Sequence, residues 1–323
     1  MSQIANTAKA SGFASSLLAW YDQHARKLPW REDRDPYRVW VSEIMLQQTR
    51  VAAVLEHYRR FLNKFPTVSK LAAARESSVL AAWSGLGYYR RARMLHAAAK
   101  LVVKEYQGKF PRASEGLRHL PGIGRYTAAA IASIAYDEPV AVVDGNVERV
   151  LERMSGKRLT GEQTWNKANH LLDPDRPGDF NQAMMELGAT ICLPRQPQCL
   201  LCPVSEFCAA RGELQAEAAR PRQRKRKIFF GLARRNGHVL LVQRGKTESL
   251  MPGMWELPQL PSRARAKRLL SLRHSITVTD YQVNVMEIAT PQKGSGRWMS
   301  RSRLASLPLT GLARKILQRA ELL

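Results

Sequence analysis

The sequence predicts two regions of different fold class, an all-α region followed by a smaller α+β region. The first has helical patterning, with apolar residues three and four apart in AAWSGL (81–86), RARMLHAAAKLVVKEY (91–106) and TAAAIASIAY (127–136). Beyond residue 227 the apolar period changes to two, and IFFGLARR (228–235) and HVLLVQR (238–244) flank Asn236-Gly237, a pair that favours a tight hairpin turn. A chain of 323 residues is long enough to form a core in each region.

A run of basic residues separates the two regions. It contains Arg220, Arg222, Arg224, Lys225, Arg226 and Lys227, with Pro221 inside it, and is typical of a solvated linker. We therefore predict a helical domain over residues 1–219, a basic linker over 220–227 and a second domain over 228–323.

The net charge is strongly positive, with 51 Lys and Arg against 27 Asp and Glu, or +24. Residues 228–323 contain 16 basic and 5 acidic residues, or +11, which leaves 24 minus 11, or +13, for residues 1–227. A polyanionic partner explains both values, because each neutralised phosphate releases counterions. A basic surface that aids solubility is the alternative. The chain has neither a run of 18 apolar residues nor a signal-peptide pattern, so we expect a soluble intracellular protein without membrane contact.

All four cysteines, Cys192, Cys199, Cys202 and Cys208, lie within 17 residues with the spacing Cx6Cx2Cx5C. Four thiolates this close are ligands for an iron–sulfur cluster or for zinc. Zinc ribbons usually have two CxxC pairs, whereas here one CxxC is flanked by single cysteines, so the spacing favours one 4Fe-4S cluster. Two disulfides would need an oxidising compartment, which nothing else in the chain indicates.

The loop Leu120-Pro121-Gly122-Ile123-Gly124-Arg125-Tyr126-Thr127 precedes an alanine-rich helical segment. Glycines two apart let the backbone approach a ligand closely, and the first amides of the following helix attract an anion. With a helix on each side, this is the layout of a helix-hairpin-helix, which holds a DNA backbone phosphate without reading sequence. A plain αα-hairpin is the alternative.

Asp144 follows the apolar pair Val142-Val143 and precedes Gly145. An Asp at the end of a buried segment is either a helix N-cap or a working carboxylate. Taken alone, the motif favours the cap.

Glu43 lies in a predicted helix over residues 39–50, on one face with Gln47 and Arg50. Large apolar residues on a neighbouring side, Trp40, Ile44 and Val51, would raise the pKa of its carboxyl so that it holds a proton at neutral pH. Taken alone, Glu43 fits a surface residue better.

Seven segments, in this order, closely resemble the MutY family of adenine DNA glycosylases and cover almost all of residues 13–208. They are LPWR (28–31), WVSEIMLQQTRV (40–51), GLGYYRRARML (85–95), LPGIGRYTAAAI (120–131), VDGNVERVL (143–151), FNQAMMELGA (180–189) and the cysteine box (192–208). The resemblance implies an all-α helix-hairpin-helix glycosylase fold of two subdomains, with an iron–sulfur cluster loop and the target base between the subdomains. From Ile228 on, the chain resembles more weakly the Nudix-like C-terminal α+β domain of that family.

The resemblance also implies roles for individual residues. Glu43 matches the general acid that protonates adenine at N7, and Asp144 matches the carboxylate that stabilises the oxocarbenium-like sugar. Tyr126 and Asn146 match residues that orient the Asp and the sugar. The flipped adenine would contact Arg26, Trp30, Arg31, Leu46 and Gln182, and the DNA would contact Gln48, Thr49, Leu86, Tyr88, Gly122, Gly124, Arg195 and Thr277. A place in the hydrophobic core fits Trp30 and Leu46 equally well.

Endonuclease III is the closest competing family, because it has a similar hairpin, Asp and cysteine spacing. A glycosylase/lyase of that kind has a lysine directly after the hairpin arginine, and its amine forms an imine with the sugar. This chain has Tyr126 there, and a phenol cannot form an imine. We therefore expect a monofunctional enzyme with weak or no lyase activity.

The C-terminal segment Pro252-Gly253-Met254-Trp255-Glu256-Leu257-Pro258 resembles the opening of a Nudix hydrolase motif. Such an enzyme needs clustered carboxylates for divalent cations, and residues 257–279 contain no Asp or Glu. We expect an 8-oxoguanine recognition module instead. In place of the family's Phe-Ser-His turn the chain has Ser275-Ile276-Thr277-Val278, with Val278 where the histidine would fall, so Thr277 is the candidate contact to 8-oxoguanine.

Together these features predict a monomeric adenine DNA glycosylase of the bacterial cytosol, associated with the nucleoid, that acts in base-excision repair. Its partner would be double-stranded DNA with adenine opposite 8-oxoguanine or guanine. Three alternatives remain: an endonuclease III-like glycosylase/lyase acting on damaged pyrimidines, a non-catalytic sensor of DNA damage, and an electron carrier built around the cluster.

Overall fold

The computed structural model describes residues 2–214, 224–248, 250–261, 266–276, 279–289 and 296–323, without the side chains of residues 2–9 and 276. The chain divides into two compact units. One comprises Met1–Leu62, Thr67–Ser69 and Ala97–Ala218, and the other comprises Asn63–Pro66, Lys70–His96 and Ala219–Leu323. The second unit therefore contains a helical segment from the first half of the chain together with the C-terminal residues. Within the described ranges, no helix is both long and apolar enough for a bilayer crossing.

The first part of the chain is all α-helical, as predicted. Its helices are α1 (Ser2–His24), α2 (Pro36–Leu46), α3 (Val51–Lys64), α4 (Val68–Ala72), α5 (Glu76–Trp83), α6 (Tyr89–Tyr106), α7 (Ser114–Leu117), α8 (Arg125–Tyr136), α9 (Gly145–Ser155), α10 (Gly161–Leu171) and α11 (Pro177–Thr190). Short 3-10 helices lie at Pro29–Arg31, Cys199–Leu201 and Ser205–Phe207.

Local sequence signals set several of the helix ends. The side chain of Asp35 caps α2, which then begins with Pro36. A capping box of Thr160 and Gln163 starts α10. Gly156, in the left-handed conformation with φ 66°, ends α9.

The predicted helix over residues 39–50 is wrong at its C-terminal end, because α2 stops at Leu46. Gln47 has ψ 116° and Gln48 has φ 54°, values that leave the helical region. Gln47 and Arg50 therefore do not share a helix face with Glu43. The helical spacing of apolar residues extends past this turn because the next helix, α3, begins directly after it, at Val51.

Helix α11 is the central element of the first unit and packs against α1, α8 and α9. Two of its glycines allow close approach. A Cβ on Gly178 would lie 2.7 Å from the carbonyl oxygen of Ser133 on α8, and a Cβ on Gly188 would lie 2.6 Å from the Cβ of Asn146 on α9. The same unit brings α2 against α8. These contacts bring the elements that carry the candidate site residues together.

The C-terminal part is α+β, as predicted. Its strands are β1 (Arg224–Leu232), β2 (Arg234–Arg235), β3 (His238–Gln243), β4 (Trp255–Glu256), β5 (Gln259–Leu260), β6 (Arg268–Ile276), β7 (Thr279–Glu287) and β8 (Gly296–Ser300), and its helices are α12 (Arg301–Leu304) and α13 (Gly311–Arg319). One sheet has the order β5-β1-β7-β6, with β1 and β7 parallel. In the other, β3 pairs antiparallel with β2, β4 and β8. Buried residues such as Phe230, Leu241, Val283 and Ile316 form the core of this region.

The predicted hairpin forms only next to its turn. Asn236 and Gly237 have φ 47° and 72°, as a tight two-residue turn requires, and β2 pairs with the start of β3. The longer strand before the turn, β1, belongs to the other sheet, where it pairs along its whole length with β7.

The predicted basic linker is shorter than expected. Strand β1 begins at Arg224 because residues 224–227 pair with residues 279–282 of β7. The remaining linker residues, 220–223, lie outside the described residues.

Candidate functional site

Glu43 lies on α2 with only 6% of its surface exposed, so the surface alternative is wrong. The phenol of Tyr126, in the first turn of α8, donates a hydrogen bond of 2.6 Å to Oε2 of Glu43. Burial raises the pKa of Glu43 from 4.5 to about 7; the Tyr126 hydrogen bond and Arg31 oppose the rise, and Asp144 adds to it. Glu43 can therefore hold a proton near neutral pH.

Asp144 is the N-cap of α9. Its Oδ1 accepts hydrogen bonds from the backbone amides of Asn146 (2.9 Å) and Val147 (2.8 Å), and its Oδ2 accepts one from the side-chain amide of Asn146 (2.9 Å). Three donors thus fix the carboxylate in one orientation at the positive end of the helix. Asp144 is nevertheless half-buried and borders solvent, so the cap leaves room for a chemical role.

Glu43, Tyr126 and Asp144 form one cluster, although the two acids are 101 positions apart in the sequence. The pKa of Tyr126 is raised well above its usual value by burial and then by the negative charges of Glu43 and Asp144. Asp144 in turn raises the pKa of Glu43. An acid that keeps its proton beside a second carboxylate is an arrangement suited to acid catalysis with charge stabilisation.

Arg149 connects the Asp144 end of α9 to the cysteine loop. Its guanidinium donates to Oδ1 of Asn146 (2.9 Å) and to the carbonyls of Gly188 (2.6 Å) and Cys192 (2.8 Å). Burial lowers the pKa of Arg149, and the surrounding acceptors satisfy its donors. Asn146 therefore orients Asp144 while it is itself held by Arg149.

A buried ion-pair network lies at the predicted adenine contacts. Glu186 on α11 accepts from Nε and a terminal nitrogen of Arg26 (2.6 and 2.8 Å) and from Arg31 (2.9 Å). Burial opposes ionisation of Glu186, but the two arginines outweigh it and hold its pKa below the usual range. Both guanidinium groups are thus engaged by Glu186, and their expected contact with adenine stays a prediction.

The other expected adenine contacts differ in exposure. Trp30 is buried and packs edge-to-face on Tyr58, with ring centroids 5.4 Å apart, which favours the core interpretation. Leu46 is half-buried at the end of α2, and Gln182 is half-buried on α11.

The glycine loop has the geometry expected of a hairpin between helices. Gly122 has φ 77°, and Gly124 precedes the first turn of α8 with its backbone exposed. A Cβ on Gly124 would meet no atom within 4 Å, so packing inside the protein does not require glycine there. The guanidinium of Arg125 lies over the ring of Trp165, 4.0 Å from its centroid, and donates a hydrogen bond of 2.7 Å to the carboxylate of Glu162.

The remaining expected DNA contacts lie in loops. Gln48 is exposed, and Thr49 is half-buried with its hydroxyl bonded to the carbonyl of Gln47. Leu86 is buried, whereas Tyr88 is 53% exposed. Arg195 is exposed in the first cysteine loop, and Thr277 lies outside the described residues.

The four cysteines, all of which are described, are unpaired and line one small cavity together with Arg153. Arg153 is buried and donates to Sγ of Cys192 (3.2 Å) and to the carbonyl of Leu193 (2.7 Å), while the thiol of Cys208 donates to the carbonyl of Arg153 (3.4 Å). In the described part of the chain, no set of three or more His, Cys, Asp or Glu side chains is arranged to hold a single metal ion. Four thiols around one cavity fit the donor set of an iron–sulfur cluster.

Sequence reasoning missed Glu186, Arg149 and Arg153 as parts of the site. Glu186 lies four residues after Gln182 on α11, and Arg149 and Arg153 are four residues apart on α9. Residues four apart on a helix share one face, so this spacing could have predicted that Glu186 lies beside Gln182 and that Arg149 and Arg153 lie side by side.

Comparisons with known proteins agree with this geometry. The sequence family described as HhH-GPD superfamily base excision DNA repair protein matches residues 41–174. The structure of a thermostable thymine-DNA glycosylase superposes with a TM-score of 0.60 at 31% identity, covering 64% of this chain and 98% of that one. The chain belongs to the HhH-GPD superfamily. An endonuclease III trapped on DNA, 22% identical with a TM-score of 0.56, has the same fold over 64% of this chain and 96% of its own. The predicted all-α helix-hairpin-helix glycosylase fold is confirmed for the helical region, and the sheets of the C-terminal region agree with the predicted α+β class.

Curated relatives named adenine DNA glycosylase confirm the resemblance predicted from the motifs. The Mus musculus protein is 50% identical over 238 residues, which are 68% of this chain and 46% of that protein. The Arabidopsis thaliana protein is 42% identical over 295 residues (76% and 46%), and that of Buchnera aphidicola subsp. Schizaphis graminum is 38% identical over 225 residues (68% and 65%). The chain spans about half the length of the mouse and plant relatives.

Proposed function

We propose that this chain is a monofunctional adenine DNA glycosylase of base-excision repair, which removes adenine opposite 8-oxoguanine or guanine in double-stranded DNA. The observation that carries the proposal is the cluster of Glu43, Tyr126 and Asp144, in which a carboxyl with a pKa of about 7 lies near a second carboxylate. The names of the curated relatives support the choice of base.

In this mechanism Glu43 is the general acid. Adenine leaves deoxyribose poorly as an anion, so the ring must gain a proton at N7 while the glycosidic bond stretches. A buried carboxyl with a pKa of about 7 is protonated in a large fraction of molecules at neutral pH and is a strong enough acid to give the proton up. The Tyr126 hydrogen bond to Oε2 leaves Oε1 as the oxygen that would face the base.

Asp144 stabilises the sugar. Positive charge develops on the deoxyribose as the base departs, and a fixed carboxylate lowers the energy of that charge or traps it covalently. Asp144 is held by three hydrogen bonds, so it need not reorganise at the moment of reaction. Asn146 orients Asp144 as expected. Tyr126, which was expected to orient the Asp and the sugar, donates to Glu43 and so orients the acid instead.

The position of Tyr126 disfavours the glycosylase/lyase alternative. Its phenol is bonded to Glu43 and has no amine with which to form an imine. The two carboxylates in one cluster likewise disfavour a non-catalytic sensor and an electron carrier.

Binding of DNA would use several parts of the chain. We propose that Arg26, Arg31, Leu46 and Gln182 border the flipped adenine, with Glu186 fixing the two arginines. The backbone of Gly122 and Gly124, together with Arg195, would hold phosphates. Gln48, Thr49, Leu86 and Tyr88 would act at the unstacked base pair, and Thr277 would address 8-oxoguanine from a Nudix-like domain over residues 228–323.

One 4Fe-4S cluster would be held by Cys192, Cys199, Cys202 and Cys208. When bound, it would supply four iron–thiolate bonds that close the loop around Arg195. Arg149 and Arg153 join that loop to α9 through hydrogen bonds to the carbonyls of Cys192 and Leu193. Chemical determination of iron and sulfide in the purified protein tests the assignment: about four of each per chain is expected, and one zinc with no sulfide would contradict it.

The deciding experiment is single-turnover release of adenine from a duplex with adenine opposite 8-oxoguanine. Asp144→Asn should lose at least about a hundredfold in rate, because the charge beneath the sugar is gone, while asparagine still caps α9 and keeps the fold. Asp137→Asn is the matched control, since Asp137 is an exposed helix-end residue paired with Arg34. Release by Asp144→Asn at the wild-type rate would contradict the proposal. Guanine in place of 8-oxoguanine tests the C-terminal module.

A further inference from the structure

The loop between α5 and α6 has an unusual backbone. Gly85 and Gly87 have φ 112° and 72°, and Tyr88 has φ 46°, although it is not a glycine. Such a conformation at an aromatic residue persists only when the surroundings fix it. Tyr88 is also 53% exposed, so in this conformation its ring is accessible from outside.

Neighbouring side chains fix part of this loop. The indole nitrogen of Trp83 donates to the carbonyl of Gly87 (3.1 Å), and the amide of Leu86 donates to the carbonyl of Trp83 (3.1 Å). The guanidinium of Arg91 lies over both the Trp83 ring (5.6 Å) and the Tyr88 ring (5.5 Å).

The C-terminal part of the chain fixes the rest, within the same compact unit. The carbonyl of Leu309 accepts hydrogen bonds from the hydroxyls of Ser84 (3.0 Å) and Tyr89 (2.9 Å), the residues on either side of the loop. Nε of Arg314 donates to the Ser84 hydroxyl (2.8 Å). Ser84, Tyr89 and Leu309 are all buried, so water does not substitute for these bonds.

The C-terminal fold determines the directions of the Leu309 carbonyl and of the Arg314 side chain. Trp255 is bonded to the carbonyl of Pro308 and to the amide of Thr310, each at 2.9 Å. Successive carbonyls of an extended segment point in opposite directions, so the Leu309 carbonyl faces away from Trp255. Thr310 caps α13, which places Arg314 one turn into that helix.

Arg93 provides a second attachment between the helices around this loop and the C-terminal residues. Arg93 on α6 donates to the carbonyl of Pro252 (2.6 Å) and pairs with Glu76 on α5 (3.0 Å). Both helices that flank the loop are therefore tied to the C-terminal residues.

We propose that the C-terminal domain has a positioning role besides any contact with 8-oxoguanine: Leu309 and Arg314, through Ser84 and Tyr89, set the loop conformation that presents Tyr88 for base extrusion. The proposal rests on the proposed function. It makes Tyr89 and Arg314 positioning residues that act through Tyr88.

Tyr89→Phe is the most conservative test, because it removes one hydroxyl from the Leu309 carbonyl. With 2-aminopurine as the target base opposite 8-oxoguanine, the fluorescence increase that reports extrusion should slow about tenfold, the effect of one buried hydrogen bond. Tyr106→Phe, at the other end of α6, is the control and should behave as wild type. The pH profile of adenine release should not move, since Glu43 is untouched.

A double-mutant cycle separates positioning from general damage. In a Tyr88→Ala background, Tyr89→Phe should have no further effect on extrusion, whereas full additivity would overturn the proposal. If Tyr89→Phe lowers the unfolding temperature strongly, Arg314→Gln replaces it, with Arg319→Gln on the exposed end of α13 as control.

Amide hydrogen exchange makes the test independent of catalysis. Exchange at residues 85–88 should be faster in Tyr89→Phe than in wild type, and unchanged exchange would overturn the proposal. A wild-type protein that releases no adenine would instead refute the proposed function, while the exchange result would still decide the anchoring.

Discussion

The hydrogen bond from Tyr126 to Glu43 should set the pH at which this chain is active. The phenol donates at 2.6 Å to a buried carboxylate oxygen and so stabilises the ionised form of Glu43. Tyr126→Phe removes this donor and keeps the ring. The pKa of Glu43 should therefore rise above its value of about 7.

The size of the change follows from the strength of the bond. A hydrogen bond to a charged group contributes about 1.5–3 kcal/mol, and about 1.4 kcal/mol corresponds to one pKa unit. The alkaline limb of the rate profile should move up by about one to two pH units. We compare the ratio of the variant rate to the wild-type rate at two pH values. With a wild-type pKa of about 7, this ratio should be about ten- to fiftyfold higher at pH 9 than at pH 5.

The assay is single-turnover adenine release between pH 5 and pH 9.5. Tyr136→Phe is the control, because it makes the same substitution on α8 at a hydroxyl that bonds the carbonyl of Phe110 instead. An alkaline limb that stays in place or moves down in Tyr126→Phe would refute the reasoning, because Glu43 would then not be the group that titrates.

Three further predictions concern stability and binding. The carboxyl of Glu43 has a pKa of about 7 in the folded protein and of 4.5 in the unfolded chain, so the stability of the wild type falls as the pH rises between these values. In calorimetric unfolding, Glu43→Gln should therefore stabilise the protein by about 3 kcal/mol at pH 8 and by less than about 1 kcal/mol at pH 5. Equal effects at both pH values would contradict this. Gly188→Ala should lower stability by about 1–3 kcal/mol and slow adenine release, because its Cβ would press on Asn146, whereas Gly161→Ala, with open space around it, should change neither. The logarithm of the DNA association constant should fall with the logarithm of the salt concentration with a slope of about −5 or steeper. An affinity independent of salt would show that the net charge of +24 does not serve phosphate contacts.

The helical region, the glycine hairpin and the Asp144 cap could be predicted because each depends on residues close together in the sequence. Apolar spacing sets a helix, two glycines set a turn, and an Asp before Gly145 sets a helix start. The same local logic failed at α2, where the pattern continues through a break at Gln47. It also failed at β1, which pairs along its whole length with β7, 55 residues later, rather than with the neighbouring β3.

The candidate site could be predicted only in part, because its energetics depend on distant contacts. The motifs gave Glu43 as a candidate acid, but its burial and its bond to Tyr126 arise from the packing of α2 on α8. The engagement of Arg26 by Glu186 arises across 160 positions and no local pattern implies it. The same holds for Leu309, which reaches back to Ser84 and Tyr89.

The central claim is that adenine leaves only after Glu43 has protonated it. The most direct measurement is adenine release at pH 7 by wild type and Glu43→Gln, at enzyme concentrations that saturate a duplex with adenine opposite 8-oxoguanine. We predict rapid release by wild type and none by Glu43→Gln, with equal affinity for the duplex. Release by Glu43→Gln within about tenfold of wild type would show that the proton comes from elsewhere.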